Sequence, residues 1–175
     1  MTSIRQVLPH YTIEDYKRWE GRWEIIRGIA YAMSPMTSPK HQNIAGRLHR
    51  IFEEAIEKSD CGHYKVYQPI DYIIEDDIIV NPDLLILCKP VEGHYLTFAP
   101  DLVAEILSPS TALKDRNTKY DLYQLQGIPY YLIIDPDVES VEVYKLSADG
   151  KYVLTEDHTF LLSHCYVPVE LNKVF

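Results

Sequence analysis

Three things are scarce in this 175-residue chain, and each absence removes a class of protein. Cysteine is the first: there are three, Cys61, Cys88 and Cys165, odd in number and widely spaced. That argues against a disulfide framework and against a zinc ribbon, which need paired cysteines at short spacings. Cys88 ends an apolar run and reads as a core thiol. Long hydrophobic runs are the second. No stretch approaches the ~18 apolar residues of a membrane span, and no N-terminal apolar segment resembles a signal peptide. The expectation is a protein without a membrane span, in the cytoplasm by default. Positive charge is the third. Lys and Arg number 17 against 26 Asp and Glu, a formal net charge of −9. Phosphate neutralisation supplies much of the affinity of nucleic-acid-binding proteins, so this charge counts against tight, unassisted DNA binding. Repeats, low-complexity segments and linkers are also missing, and residues 1–175 read as one domain.

What is present is the composition of a folded protein. Residues are 46% hydrophobic and 25% charged, enough to bury a core without staples. The 14 tyrosines fall largely in strand-like or amphipathic segments, where a ring packs and its hydroxyl stays polar. Basic residues gather locally as Lys40, Arg47, His49 and Arg50, and as Lys114, Arg116 and Lys119. Carboxylates that hold a divalent ion also count as negative in the sum while being neutral in the site.

The order of elements follows from periodicity and punctuation. Thr12 caps a short helix with Asp15 three residues on, and Gly21 stops it. WEIIRG and IAYAMS form a hairpin around Gly28. Ser38-Pro39 starts a helix in which Ile44, Leu48, Ile51, Phe52, Ala55 and Ile56 recur at helical spacing to about Ser59. HYKVYQ, DYIIE and DIIV are short strands broken at Pro69 and at the turn Glu75-Asp76-Asp77. NPDLLILC and DLVAEILS are nearly continuous apolar runs, suited to central strands covered on both faces. A second helix, capped at Ser110 or Thr111 and ended at Gly127, takes Leu113, Tyr120, Tyr123 and Leu125 for its apolar side. IPYYLIIDP is a buried strand ending at Asp135, VESVEVYKL an edge-like partner, and the tail from Lys151 adds one or two edge strands.

Two acids break this apolar pattern. Asp83 shares a strand face with Leu85 and Leu87, and Glu105 shares one with Val103 and Leu107. A carboxylate in an apolar strand is costly unless it is paired, hydrogen-bonded or bound to a cation. Two on neighbouring strands make an oxygen site suited to Mg²⁺ or Mn²⁺.

With these residues in place, NPDLLIL, LVAEILSPST, KDRNTKYDLY and GIPYYLIIDP, in that order, resemble the Uma2-like group, once called a domain of unknown function, within the PD-(D/E)XK restriction-endonuclease-like superfamily. The likeness runs from about Tyr11 to Leu146 and includes WEIIRG and the MSP segment. It implies an α/β, restriction-endonuclease-like fold: a mixed β-sheet flanked by helices, with an N-terminal helix and β-hairpin. It also implies roles. Asp83 and Glu105 become metal ligands, and Glu24 touches the metal through water. His41 reaches the same mouth. The superfamily's usual lysine two residues after the second acid is absent, since Leu107 stands there; Lys119 on the following helix fits the migrated position. The implied activity is a Mg²⁺- (or Mn²⁺-) dependent endonuclease acting on DNA through one or two ions, with a homodimer expected for cutting both strands.

Plainer uses exist for each residue. Asp83 is also a fit for a strand-start cap. Lys119 also suits a surface ion pair with Asp115 four residues earlier, and Lys114 reads as solvated. Glu24 reads equally as a hairpin surface acid, and His41 as a surface residue at a helix start. His10, His158 and His164 show no metal spacing, Tyr120 and Tyr123 read as packing, and Asp135 as a strand end. The rival function is a nuclease-fold protein without cleavage, serving as a nucleic-acid-binding or regulatory module; Leu107 and the −9 charge favour it.

Overall fold

The computed structural model describes residues 8–33 and 37–175. A short helix α1 (Ile13–Tyr16) leads into the strands β1 (Trp23–Ile26) and β2 (Ile29–Ala32). Asp15 folds back to accept a hydrogen bond from the Thr12 N–H at 3.0 Å, which closes the first turn. β1 and β2 pair antiparallel with Ile26 opposite Ile29. Arg27 and Gly28 therefore make a two-residue turn with φ of 51° and 76°, the twist a tight hairpin needs. A Cβ at position 28 would also sit 2.2 Å from the His10 ring and push that side chain aside. Of the second hairpin run, Ser34 lies outside the described residues, as does the Ser34-Pro35 step of the MSP segment.

The long helix α2 (Pro39–Lys58) starts as its sequence dictates, with Ser38 Oγ accepting the His41 N–H at 3.1 Å. Three short strands follow, β3 (Lys65–Tyr67), β4 (Tyr72–Glu75) and β5 (Ile78–Val80), then the apolar pair β6 (Leu84–Leu87) and β7 (Leu102–Ile106). The chain crosses through a helical segment, Lys114–Leu125, to β8 (Tyr130–Asp135) and returns in β9 (Ser140–Leu146) and β10 (Tyr152–Thr155). A last hairpin, β11 (Thr159–Leu162) and β12 (Cys165–Pro168), ends in a 3₁₀ turn at Leu171–Val174.

These strands form a six-stranded mixed sheet in the order β10-β9-β8-β7-β6-β3 and a four-stranded sheet in the order β2-β1-β5-β4. β7 and β8 run parallel, and the other pairs of the large sheet are antiparallel. A parallel neighbour requires a crossover, and here the crossover is the Lys114–Leu125 segment.

The large sheet has a core on each face. On one, α2 sets Ile44, Leu48, Phe52 and Ile56 against Leu84, Ile86, Ala104 and Leu132, with the C-terminal hairpin alongside. On the other, Leu85, Leu87, Val103, Tyr131 and Ile133 meet Leu122 and Tyr123 of the crossover and Ile26, Tyr72 and Val80 of the small sheet. Each face alternates as strand geometry demands, so Asp83 and Glu105 fall on the second face.

Three expectations need correction. Cys61 and Cys165 are joined as a disulfide, tying the end of α2 to the last hairpin; their spacing in sequence gave no sign of it because the tail folds back over the helix. The crossover is also no simple α-helix. Residues Lys114–Lys119 form a π-helical turn, and only Tyr120–Leu125, here α3, is α-helical. Finally, Leu113 and Leu125 are 82% and 72% exposed, while charged Asp115 and Lys119 take the inward positions. Cys88 is half-buried at the core's margin. Among the described residues no helix is long and apolar enough to cross a membrane.

Candidate active site

Register brings the two acids together. Leu84 lies opposite Ala104 and Leu85 opposite Val103, so the same pairing continued by one residue sets Asp83 beside Glu105. Asp83 Oδ2 accepts the Ile106 N–H at 2.8 Å. This bond caps the end of the strand pair and fixes the carboxylate; the strand-start use of Asp83 and its place in the site are one arrangement. The same oxygen lies 3.2 Å from His41 Nε2. His41 reaches it from the first turn of α2, held there by the Ser38 cap. Burial favours the neutral imidazole, but the Asp83 carboxylate outweighs it and the ring's pKa is raised.

Glu105 is 3% exposed and Lys119 is 2% exposed. Lys119 Nζ lies 2.9 Å from Glu105 Oε1, 2.7 Å from Glu24 Oε1 and 3.3 Å from Asp115 Oδ1. One ammonium thus faces three buried carboxylates. Desolvation opposes its charge, yet Glu105, Glu24 and Asp115 together push its pKa well above the ordinary value, so it stays protonated. Asp115 and Lys119 sit four residues apart on the π-helical turn and both are buried; such turns are rare and recur at functional sites.

Glu24, from β1, has no exposed surface. Beyond Lys119, it accepts the Asn81 N–H at 3.1 Å and pairs with Lys114. Burial alone raises its pKa, but the two ammonium groups reverse that and hold its carboxyl below the usual value. Glu105 differs: burial dominates, Lys119 offsets part of it, Asp115, Asp83 and Glu24 repel the second charge, and its pKa stands well above the usual range. Tyr123, from α3, donates to Glu105 Oε1 at 2.8 Å.

Asp83, Glu105, His41 and Lys119 all line one cleft of about 660 Å³, whose walls include Arg22, Tyr31, Lys40, Leu113 and Lys114. The structure therefore gathers four of the five expected residues at a single mouth. Glu24 is the fifth: it lies behind them, with both oxygens engaged by lysines and Asn81. It is not a hairpin surface acid, Asp115 is not half of a surface pair, and Lys114 is not free in solvent. Sequence reading passed over the roles of Lys114, Asp115 and Tyr123, because charge at helical spacing normally marks a wet face and tyrosine normally packs. Of the basic residues near the start of α2, Lys40 lines the cleft, whereas Arg50 pairs with Glu54 on the helix surface.

Among the described residues, no three His, Cys, Asp or Glu side chains are grouped to cage a metal. The fit to a divalent ion rests instead on Asp83 and Glu105, two hard oxygen donors on one cleft. Mg²⁺ suits such a set, since it keeps several waters and takes one or two carboxylates with a substrate phosphate. Charge agrees: Glu24, Glu105 and Asp115 face the ammonium groups of Lys114 and Lys119, and Asp83 lies beside Glu105 and pairs with His41, so the carboxylates outnumber the lysines.

Comparison with known proteins places the chain. A solved structure described as "a putative nuclease belonging to DUF820" from Anabaena variabilis ATCC 29413 superposes with a TM-score of 0.71 at 18% identity, over 94% of this chain and 97% of that one. It shares the mixed α/β fold. The uncharacterized protein slr1290 of Synechocystis sp. is 29% identical over 154 residues, 83% of this chain and 80% of that protein. A second uncharacterized Synechocystis protein, sll1609, is 30% identical over 90 residues, 49% of this chain and 51% of its own length. The family profile named Uma2 and described as "Putative restriction endonuclease" matches residues 13–165. That match spans the hairpin, both acid-bearing strands and the crossover lysine, and the chain belongs to the Uma2 family.

Proposed function

We propose that this protein is a Mg²⁺- or Mn²⁺-dependent endonuclease that hydrolyses phosphodiester bonds in DNA. The observation that carries the reading is the buried Lys119 ammonium, 2.9 Å from Glu105 in the cleft that Asp83 also lines. It supplies from the helix the cation that the strand lacks at Leu107. The family description and the nuclease so named among solved structures support the same reaction class.

Asp83 and Glu105 would hold the metal. When bound, that ion polarises a phosphate oxygen and lowers the pKa of its water. The chain's own residues do the rest. The Ile106 N–H and His41 pin one oxygen of Asp83, which fixes the direction of the other. Tyr123 and Lys119 pin Oε1 of Glu105 in the same way. Lys119, kept protonated by three carboxylates, orients a water or stabilises charge on the phosphate; it is a poor base there. Glu24 acts through the lysines as a positioning residue.

Supercoiled, linear and single-stranded DNA incubated with Mg²⁺ or Mn²⁺ tests this. Cleavage is expected, and Asp83→Ala or Glu105→Ala should reduce it by about a hundredfold or more, as loss of an electrostatic catalytic group does. Cleavage that persists in either variant overturns the reading.

A further inference from the structure

The depth of the site and the nature of its rim carry an inference about substrate form. It rests on the nuclease reading above, but its readout is binding. The side chains of Asp83, Glu105 and Lys119 are 12%, 4% and 2% exposed. A phosphate must descend into the cleft to meet them. The cleft's 660 Å³ is the volume of a small-ligand pocket, room for a nucleotide or two. A closed duplex presents its phosphates on a stiff cylinder, so bringing one of them in among these side chains costs deformation that a single strand avoids.

The rim favours a single strand on other grounds. Tyr31, on β2, lines the cleft and keeps 40% of its surface exposed, and Leu113 across the crossover loop is 82% exposed. Lys114 Nζ lies 5.2 Å from the Tyr31 ring centroid while it pairs with buried Glu24. This cation–π contact holds the ring at the mouth. Arg22 and Lys40 add positive charge to the same walls. Cations at a rim beside an aromatic platform hold single strands, because every base can stack on the ring. Duplex binding leans on a wide phosphate footprint, which a chain of net charge −9 does not offer beyond this cleft. Stacking supplies affinity that needs no extra positive charge.

We propose that the cleft takes a single nucleic-acid strand, or an unpaired end, with a base stacked on Tyr31 and its phosphate directed toward Asp83, Glu105 and Lys119. Fluorescence anisotropy with a labelled (dT)₁₂ strand and with a 12-base-pair duplex, in EDTA and again in Ca²⁺, tests it. The single strand should bind at least about tenfold more tightly than the duplex. Tyr31→Ala should weaken single-strand binding by about five- to a hundredfold, the range for loss of one stacked base, and Tyr31→Phe should restore it. Melting curves for both variants establish that they fold. Equal or tighter duplex binding overturns the proposal, as does a Tyr31→Ala protein that binds the strand normally, or failure of the single strand to bind. Absent cleavage, or cleavage that survives Asp83→Ala, sinks the nuclease reading and leaves the binding result standing.

Discussion

At the scale of single residues the site is an arrangement of charges that hold one another in place, and Glu24 is its hinge point. Its carboxyl is held below the usual value by Lys119 and Lys114. A carboxyl whose pKa is depressed on folding contributes stability above its unfolded pKa, near 4.3, and loses it as pH falls through the folded value. Glu24→Gln keeps the shape but leaves Lys119 one carboxylate short, a change that costs about 3–5 kcal/mol for a broken buried pair. Urea melts should show that deficit at pH 7 and a narrowing gap between wild type and variant as pH drops below 4. A constant gap across that range would mean the ion pair is not its source. The sequence made the identity of these residues plain and left their depth hidden. Glu105 stood out because a mid-strand acid has few other uses. Lys114 and Asp115 did not, because a KDR run in a helix reads as surface unless one knows that Glu24 waits opposite, 90 and 91 positions away in chain terms.

Elements decide which of these residues can meet. β6 and β7 were readable as central strands, since unbroken apolar runs bury both faces, and their antiparallel register delivers Asp83 to Glu105. The crossover was not readable in the same way. Tyr123 and Leu125 are two residues apart in α3 and so face opposite ways, and the ion pairs to Glu24 and Glu105 draw Lys119 inward, so leucines are exposed and a lysine is buried. Helix α2 is the opposite case, because its cap was legible and has a consequence at the site. Ser38 Oγ holds the His41 N–H, and His41 braces Asp83. Ser38→Ala should therefore lower stability by about 1 kcal/mol, the usual worth of an N-cap. It should also reduce DNA cleavage beyond what that stability loss explains, while Ser38→Asp restores both. Normal cleavage in a destabilised Ser38→Ala protein would separate the cap from the site.

The whole molecule balances an acidic surface against a site that wants cations. The disulfide adds a long-range constraint: Cys61 and Cys165 are 104 residues apart, and a bridge closing so long a loop contributes about 2–4 kcal/mol. Reduction should lower the melting temperature, and an unchanged value would argue that the bridge does not form in solution. The charge balance of the site makes a separate demand on the same measurement. Four carboxylates against two ammonium groups leave the cluster short of positive charge; burial raises the pKa of Glu105, and repulsion from Asp115, Asp83 and Glu24 adds to it. A divalent ion that binds the folded chain alone raises its stability by about 2.7 kcal/mol at a hundredfold excess over Kd. Mn²⁺ or Mg²⁺ should thus raise the melting temperature of wild type, whether or not the disulfide is reduced, because Cys61 and Cys165 lie outside the cleft. Asp83→Ala should lose most of that shift, and Tyr31→Ala, at the rim, should keep it. If Asp83→Ala were stabilised as much as wild type, the ion would be binding elsewhere on the acidic surface. A wild type indifferent to millimolar Mn²⁺ would mean that Lys119 already satisfies the carboxylates, and the fold would then serve binding without cleavage.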